Sequence, residues 1–166
     1  MTQAPLITAE RLREILMYDH TSGVFTFRVR RGSMKVGTAS GVRKDDGRIA
    51  IKLEGRYYLA HRLAWLYVHG VWPEQQIDHI DGNPLNNGIA NLRDVSPTTN
   101  SQNRRFADPG SKSGLLGAQW CKGYGNWQAS IRVKGTRMNL GKFDSAQEAH
   151  EAYVQAKRRF HDGCTI

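Results

Sequence analysis

The stretch Ile77 to Asn100, IDHIDGNPLNNGIANLRDVSPTTN, limits the architecture of this chain more than any other segment. Asparagine and aspartate are weak in helix and strand interiors and strong in turns, caps and as oxygen donors. Their density therefore predicts an excursion between two strands. The first ends near Asp78-His79, and the second runs over Asn91-Leu92-Arg93-Asp94-Val95. Ser96-Pro97 then reads as a helix start, with Pro at a first helical position, and the helix extends through Asn103, Arg104 and Arg105. A layout of strand, excursion, strand and helix brings a carboxylate, an imidazole and several amide oxygens to one short region.

The remainder of the chain divides around this centre. Thr8 to Tyr18 reads as a capped helix, and VFTFRV from Val24 alternates like a strand. Ile49 to Leu53 and Tyr57 to Leu59 form a hairpin across Glu54-Gly55. His61 to His69 reads as a helix stopped at Gly70. Residues 107–114 have the Pro/Gly/Ser composition of a linker. Beyond them Gly117 to Trp120, Trp127 to Val133 and Arg137 to Gly141 are strand-like, and a helix starts with the capping box Ser145 and Glu148. The expected class is α+β: an N-terminal helix and small antiparallel sheet, a central ββα element, and a three-stranded antiparallel sheet packed on one helix. The expected divisions are 1–60, 61–106, the linker at 107–114, and 115–166.

Charge narrows the partner. The net charge is +9, but it is unevenly spread. Residues 1–60 carry 11 Lys/Arg against 6 Asp/Glu, residues 61–95 carry 2 against 4, and residues 96–166 carry 11 against 5. An acidic centre between basic arms suits a cation-holding site presented to a phosphate backbone. No apolar run reaches the roughly 18 residues of a membrane span, and the first residues lack a secretory signal's pattern. The default expectation is a soluble intracellular protein. Two cysteines, Cys121 and Cys164, do not suffice for a cysteine-rich zinc site, so no structural zinc is expected.

Asp78-His79, Asn91 in Ala90-Asn91-Leu92-Arg93, and Asn100 together resemble the HNH nuclease motif, the ββα-metal finger. The variant resembled is that of phage and intron-encoded homing endonucleases, in which Asn replaces the last His. His61-Arg62-Leu63-Ala64-Trp65, Asn86-Asn87 and Tyr18-Asp19 through Gly23-Val24-Phe25 extend the likeness over about residues 6–105. The resemblance implies a DNA endonuclease in which His79 is general base and Asp78 and Asn100 are metal ligands. It implies that Asn91 holds the loop and orients His79 by hydrogen bonding. The implied ion is magnesium, or manganese, and the implied substrate is double-stranded DNA, cut or nicked by a monomer. Arg62 and Arg93 are candidate phosphate contacts. Asp81, Asn83, Asn86 and Asn87 are read as turn-formers.

Gly117, Trp120, Trp127, Ile131-Arg132-Val133, Arg137, Leu140-Gly141-Lys142-Phe143 and the helix from Ser145 resemble the Apetala/ethylene-response-factor type of DNA-binding domain. The resemblance implies DNA contacts by Gln119, Trp120, Lys122, Arg132, Lys134, Arg137 and Asn139. Two other readings accompany this one. A DNA-binding regulator with a vestigial nuclease centre shares the motif, and a zinc hydrolase would use His61, His69 and His79.

Overall fold

The computed structural model describes residues 6–166, which form two compact units, one ending at Ser96 and one running from Pro97 to Ile166. The composition-based linker at 107–114 lies inside the second unit, where Ser113 Oγ accepts from Leu115 N and donates to the Ala118 carbonyl.

In the first unit, helix α1 (Ala9–Ile15) begins at Thr8, whose hydroxyl caps Arg11 N. The helix expected to reach Tyr18 stops at Ile15. Leu16–Tyr18 instead forms strand β1, paired antiparallel with β2 (Phe25–Phe27) in the register Leu16↔Phe27 and Tyr18↔Phe25. Pairing places Leu16, Tyr18, Phe25 and Phe27 on one buried face, a tertiary gain that one more helical turn would forfeit. A three-stranded sheet follows: β3 (Val42–Arg43), β4 (Ile49–Leu53) and β5 (Arg56–Leu59), in spatial order β3-β4-β5. The β4–β5 turn places Glu54 and Gly55 at positive φ, 49° and 83°, the backbone of a tight two-residue hairpin.

Helix α2 (Ala60–His69) ends at Gly70 in the left-handed conformation, whose N–H returns to the Leu66 carbonyl. Its buried face, Leu63, Ala64 and Leu66, packs with Leu12, Ile51, Leu53, Ile77 and Leu92 in the core. Strands β6 (Gln76–His79) and β7 (Leu92–Val95) pair antiparallel, with Asp78 opposite Arg93 and His79 opposite Leu92. The excursion between them closes through a 3-10 turn over Ile89–Asn91.

The second unit opens with helix α3 (Pro97–Gln102), shorter than the run to Arg105 that the sequence suggests. Strands β8 (Ala118–Cys121), β9 (Asn126–Val133) and β10 (Thr136–Phe143) form an antiparallel sheet in the order β10-β9-β8, covered by α4 (Ala146–Phe160). The capping box closes as its sequence requires: Ser145 Oγ accepts from Glu148 N at 3.1 Å, and Glu148 accepts from Ser145 N at 3.2 Å. Ala118, Ala129 and Ala149 are small enough to bring sheet and helix together, with Tyr153 and Phe143 closing the edges. The last residues of the chain are stitched to α3. Gly163 N donates to Gln102 Oε1 at 3.0 Å, Thr165 Oγ1 bonds Asn103 Oδ1, and Arg105 Nη2 donates to the Thr165 carbonyl at 2.9 Å. From α4, the buried Lys157 ammonium donates to the Arg104 carbonyl, and burial lowers the pKa of that amine.

Candidate active site

Asp78 and His79 are consecutive residues of β6, yet both are buried, because the strand ends at His79 and the chain bends there. Gly82 N donates back to the His79 carbonyl at 2.8 Å, and Ile80 N donates to the Asn91 carbonyl at 2.8 Å. Asp78 Oδ2 accepts from both Nε and Nη2 of Arg93, at 2.9 and 2.7 Å. That fork arises from the register, since Arg93 stands directly across the ladder from Asp78. Arg93, expected to contact phosphate, is thus engaged with the carboxylate. Arg62 is likewise engaged within the protein. Its Nη1 donates to the Gln75 carbonyl at 3.3 Å, and the guanidinium lies over Trp72.

The excursion is a hydrogen-bonded scaffold. Asn91 Nδ2 donates to Asp81 Oδ1 at 2.9 Å and to the Asn86 carbonyl at 2.8 Å, while its Oδ1 accepts from Asp81 N at 2.9 Å. Asp81 also accepts from Asn83 N and Asn86 Nδ2. Burial acts to raise the Asp81 pKa, and the bonds from Asn83, Asn86 and Asn91 outweigh it, leaving the pKa lowered. The Asn91 amide thus ties the two ends of the excursion together. That amide is not the one on His79. His79 Nε2 meets Oδ1 of Asn87 at 3.0 Å, and Asn87, read from sequence as a turn-former, is one of the few buried polar residues.

His61, on the first turn of α2, stands edge-on to His79, with ring centroids 5.2 Å apart. Burial first, then the neighbouring His79, Arg48 and Arg62, push its pKa from 6.5 down to about 3. His61 is therefore neutral at ordinary pH. The unfolded chain binds a proton there that the folded chain refuses, so stability is full above about 6.5 and falls as pH drops toward about 3. Thermal unfolding followed between about pH 6.5 and about 4.5, above the carboxylate range, should show this loss, and His61→Phe should flatten it. A slope that survives the substitution would assign it to other groups.

The His69 ring lies against Trp65, with centroids 4.1 Å apart and the planes tilted by 39°. Among the described residues no group of three or more His, Cys, Asp or Glu could hold a metal ion. The three-histidine zinc arrangement is therefore not assembled among them. Asp78 belongs to the first unit and Asn100 to the second; a carboxylate and an amide oxygen are each hard donors of the kind that suit magnesium, which takes one or two protein oxygens and keeps waters and phosphate as its other ligands. Asn100 lies in α3.

In the second unit, register decides which candidates share a face. Gln119 pairs with Gln128, Asn139 with Ser130 and Arg137 with Arg132, so these residues lie together on the face away from the apolar cluster. Arg137 Nε donates to Ser130 Oγ at 3.0 Å, and Asn139 Oδ1 accepts from Gly141 N in the β10 bulge. Lys122 and Lys134 lie in exposed turns at the strand ends. Trp120 is different. It pairs with Trp127, which pairs with Phe143, and its ring meets Trp127 edge-on at 5.2 Å while the side chain itself remains exposed. Lys142, opposite Gln128, joins the polar face, and its ammonium lies 3.4 Å from the Tyr124 ring centroid. The strand-pairing arithmetic across the Asn139–Gly141 bulge would have located it.

The family model described as HNH endonuclease matches residues 58–102. The chain is also 33% identical over 102 residues to Protein 3.8 of Escherichia phage T7, covering 61% of this chain and 83% of that protein. No solved structure matches at a significant level. No helix among the described residues is long and apolar enough to cross a membrane.

Proposed function

Residues 58–102 of this chain are an HNH endonuclease domain, and from that premise we propose that the protein hydrolyses phosphodiester bonds of double-stranded DNA with a divalent metal. The observation that carries the reading is the adjacent pair on β6: a carboxylate gripped by Arg93 and an imidazole anchored through Nε2. An anchored imidazole at a strand end can take a proton from water near neutral pH. His79 is accordingly the general base. Asp78 and Asn100 are the ligands, and Asn91 keeps the excursion closed so that His79 stays at its end. Bound magnesium, or manganese, supplies positive charge to the scissile phosphate and the departing 3′ oxygen. The products are a 5′ phosphate and a 3′ hydroxyl.

The second unit supplies DNA affinity in this reading. Gln119, Arg132, Arg137 and Asn139 present hydrogen-bonding and cationic groups on one face, with Lys122 and Lys134 beside them. Such a set can grip phosphates and reach base edges. A homing-endonuclease-like nicking activity from a monomer follows from one site per chain. The rival reading, a sequence-specific regulator with a vestigial centre, draws on one observation: Arg93 already neutralises Asp78.

Incubation with supercoiled plasmid separates the two. Magnesium should yield nicked or linear product with 5′-phosphate ends, and chelation should abolish it. A protein that shifts the plasmid in a gel and never cuts it, in magnesium or manganese, would leave the regulator standing.

A further inference from the structure

The Tyr18 to Gly23 turn and the buried amide of Asn87 have no part in the chemistry so far, yet they are joined to each other and to His79. Asn87 Oδ1 faces His79 Nε2, while its Nδ2 is directed to the Leu85 carbonyl. An amide oxygen can only accept a hydrogen bond, so Nε2 must carry the proton and the lone pair of the neutral ring is on Nδ1.

Asn87 is itself held by the β1–β2 turn. Tyr18 Oη donates to the Asn87 carbonyl at 2.7 Å, and Ile89 N donates to the His20 carbonyl at 3.0 Å. Burial first, then the Asp19 charge, push the Tyr18 pKa up to about 12, so the phenol remains a donor. Gly23, at φ +72°, approaches so closely that a Cβ there would lie 2.2 Å from the Asn87 carbonyl carbon. Asp19 shapes the turn by accepting from Thr21 N at 2.8 Å and Ser22 N at 3.0 Å. The links from turn to loop thus run through backbone atoms and one buried phenol.

We propose that Asn87 is a positioning residue that fixes the reactive tautomer of His79, and that the Tyr18–Gly23 turn is the clamp that holds Asn87 in place. The role rests on the assignment of His79 as base. It gives the N-terminal hairpin a place in the catalytic apparatus in addition to any part in folding. A buried hydrogen bond to the remote nitrogen sets both the ring plane and the proton's location, as the outer hydrogen-bond partners of metal-bound histidines do.

The test uses the full chain labelled with 15N-histidine, with the His79 signals assigned by their loss in His79→Gln. At a pH where the ring is neutral, the wild type should carry its proton on Nε2. Asn87→Ala should give a mixture of tautomers and lower kcat by about 10- to 100-fold with KM for DNA little changed. Asn87→Asp, which keeps an acceptor, should restore the Nε2–H form. Tyr18→Phe should move both readouts in the same direction by less. An Nδ1–H wild type, or an Asn87→Ala variant with unchanged spectrum and kcat, would overturn the proposal. If Asn87→Ala fails to fold, the wild-type spectrum and Tyr18→Phe still decide. The two readings fail separately: undiminished cleavage by His79→Ala removes the base and leaves the tautomer result intact.

Discussion

His79→Ala should lower kcat for DNA cleavage by about 10²- to 10⁴-fold, the usual worth of a positioned general base, while DNA affinity stays close to that of the wild type. The separation follows from where the residue sits. His79 is buried at the end of β6 and touches Asn87 and the His61 ring, so its removal takes little from a DNA-facing surface. The cost falls on the neighbours. Asn87 loses the group its oxygen accepts from, and His61 loses a ring face, so some stability is lost as well. His79→Gln controls for this by keeping a polar side chain of similar length. Comparing single-turnover cleavage with gel-shift affinity for both variants gives the answer. Cleavage at the wild-type rate by either would remove His79 from the chemistry.

A large effect on the folding of the second unit should come from Gly117→Ala. Gly117 precedes β8 at φ +80°, where an L side chain is strained by roughly 1–2 kcal/mol. The added Cβ would also lie 2.0 Å from Cγ of Tyr153, against a ring packed between α4 and the sheet. Overpacking of this kind typically costs about 1–3 kcal/mol. The second unit should therefore lose about 2–5 kcal/mol, read as a lower denaturation midpoint. Tyr153→Ala in the same chain should remove the contacts with the ring and recover only part of the loss, because Cβ of residue 153, 2.5 Å from the added Cβ, and the backbone strain both remain. A single variant as stable as the wild type would mean that the Gly117 backbone readily takes another conformation.

Elements with local signals were legible from sequence. The α4 capping box, the Gly70 stop of α2 and the Glu54-Gly55 hairpin are each set by chemistry within four residues, and each occurs where that chemistry requires. The end of α1 was not legible, because the change from helix to strand after Ile15 is decided by pairing with Phe25 and Phe27, which local periodicity does not record. At the site the limit is similar. Six asparagines between Asn83 and Asn103 look alike in sequence, and only the folded loop separates Asn91, which ties its backbone, from Asn87, which reaches His79. The partners of Arg93 and Trp120 follow from register, which is not written in local sequence. Opposite Asp78, an arginine becomes a counter-ion, and opposite Trp127, a tryptophan meets another ring edge-on.

The stitching of α3 to residues 163–165 constrains how such a chain can be recombined. A designer replacing the C-terminal sheet and helix would cut at the Gly- and Ser-rich stretch, since its composition invites the splice. That cut separates Gln102, Asn103 and Arg105 from Gly163 and Thr165, and Arg104 from Lys157. The helix bearing Asn100 would keep its sequence and lose its support. A chimera joined at Ser96 splits none of those bonds, since both partners of each leave together, but the incoming segment must then bring its own α3. Exchange of the C-terminal unit is therefore also exchange of the Asn100 helix, and that residue travels with the unit swapped.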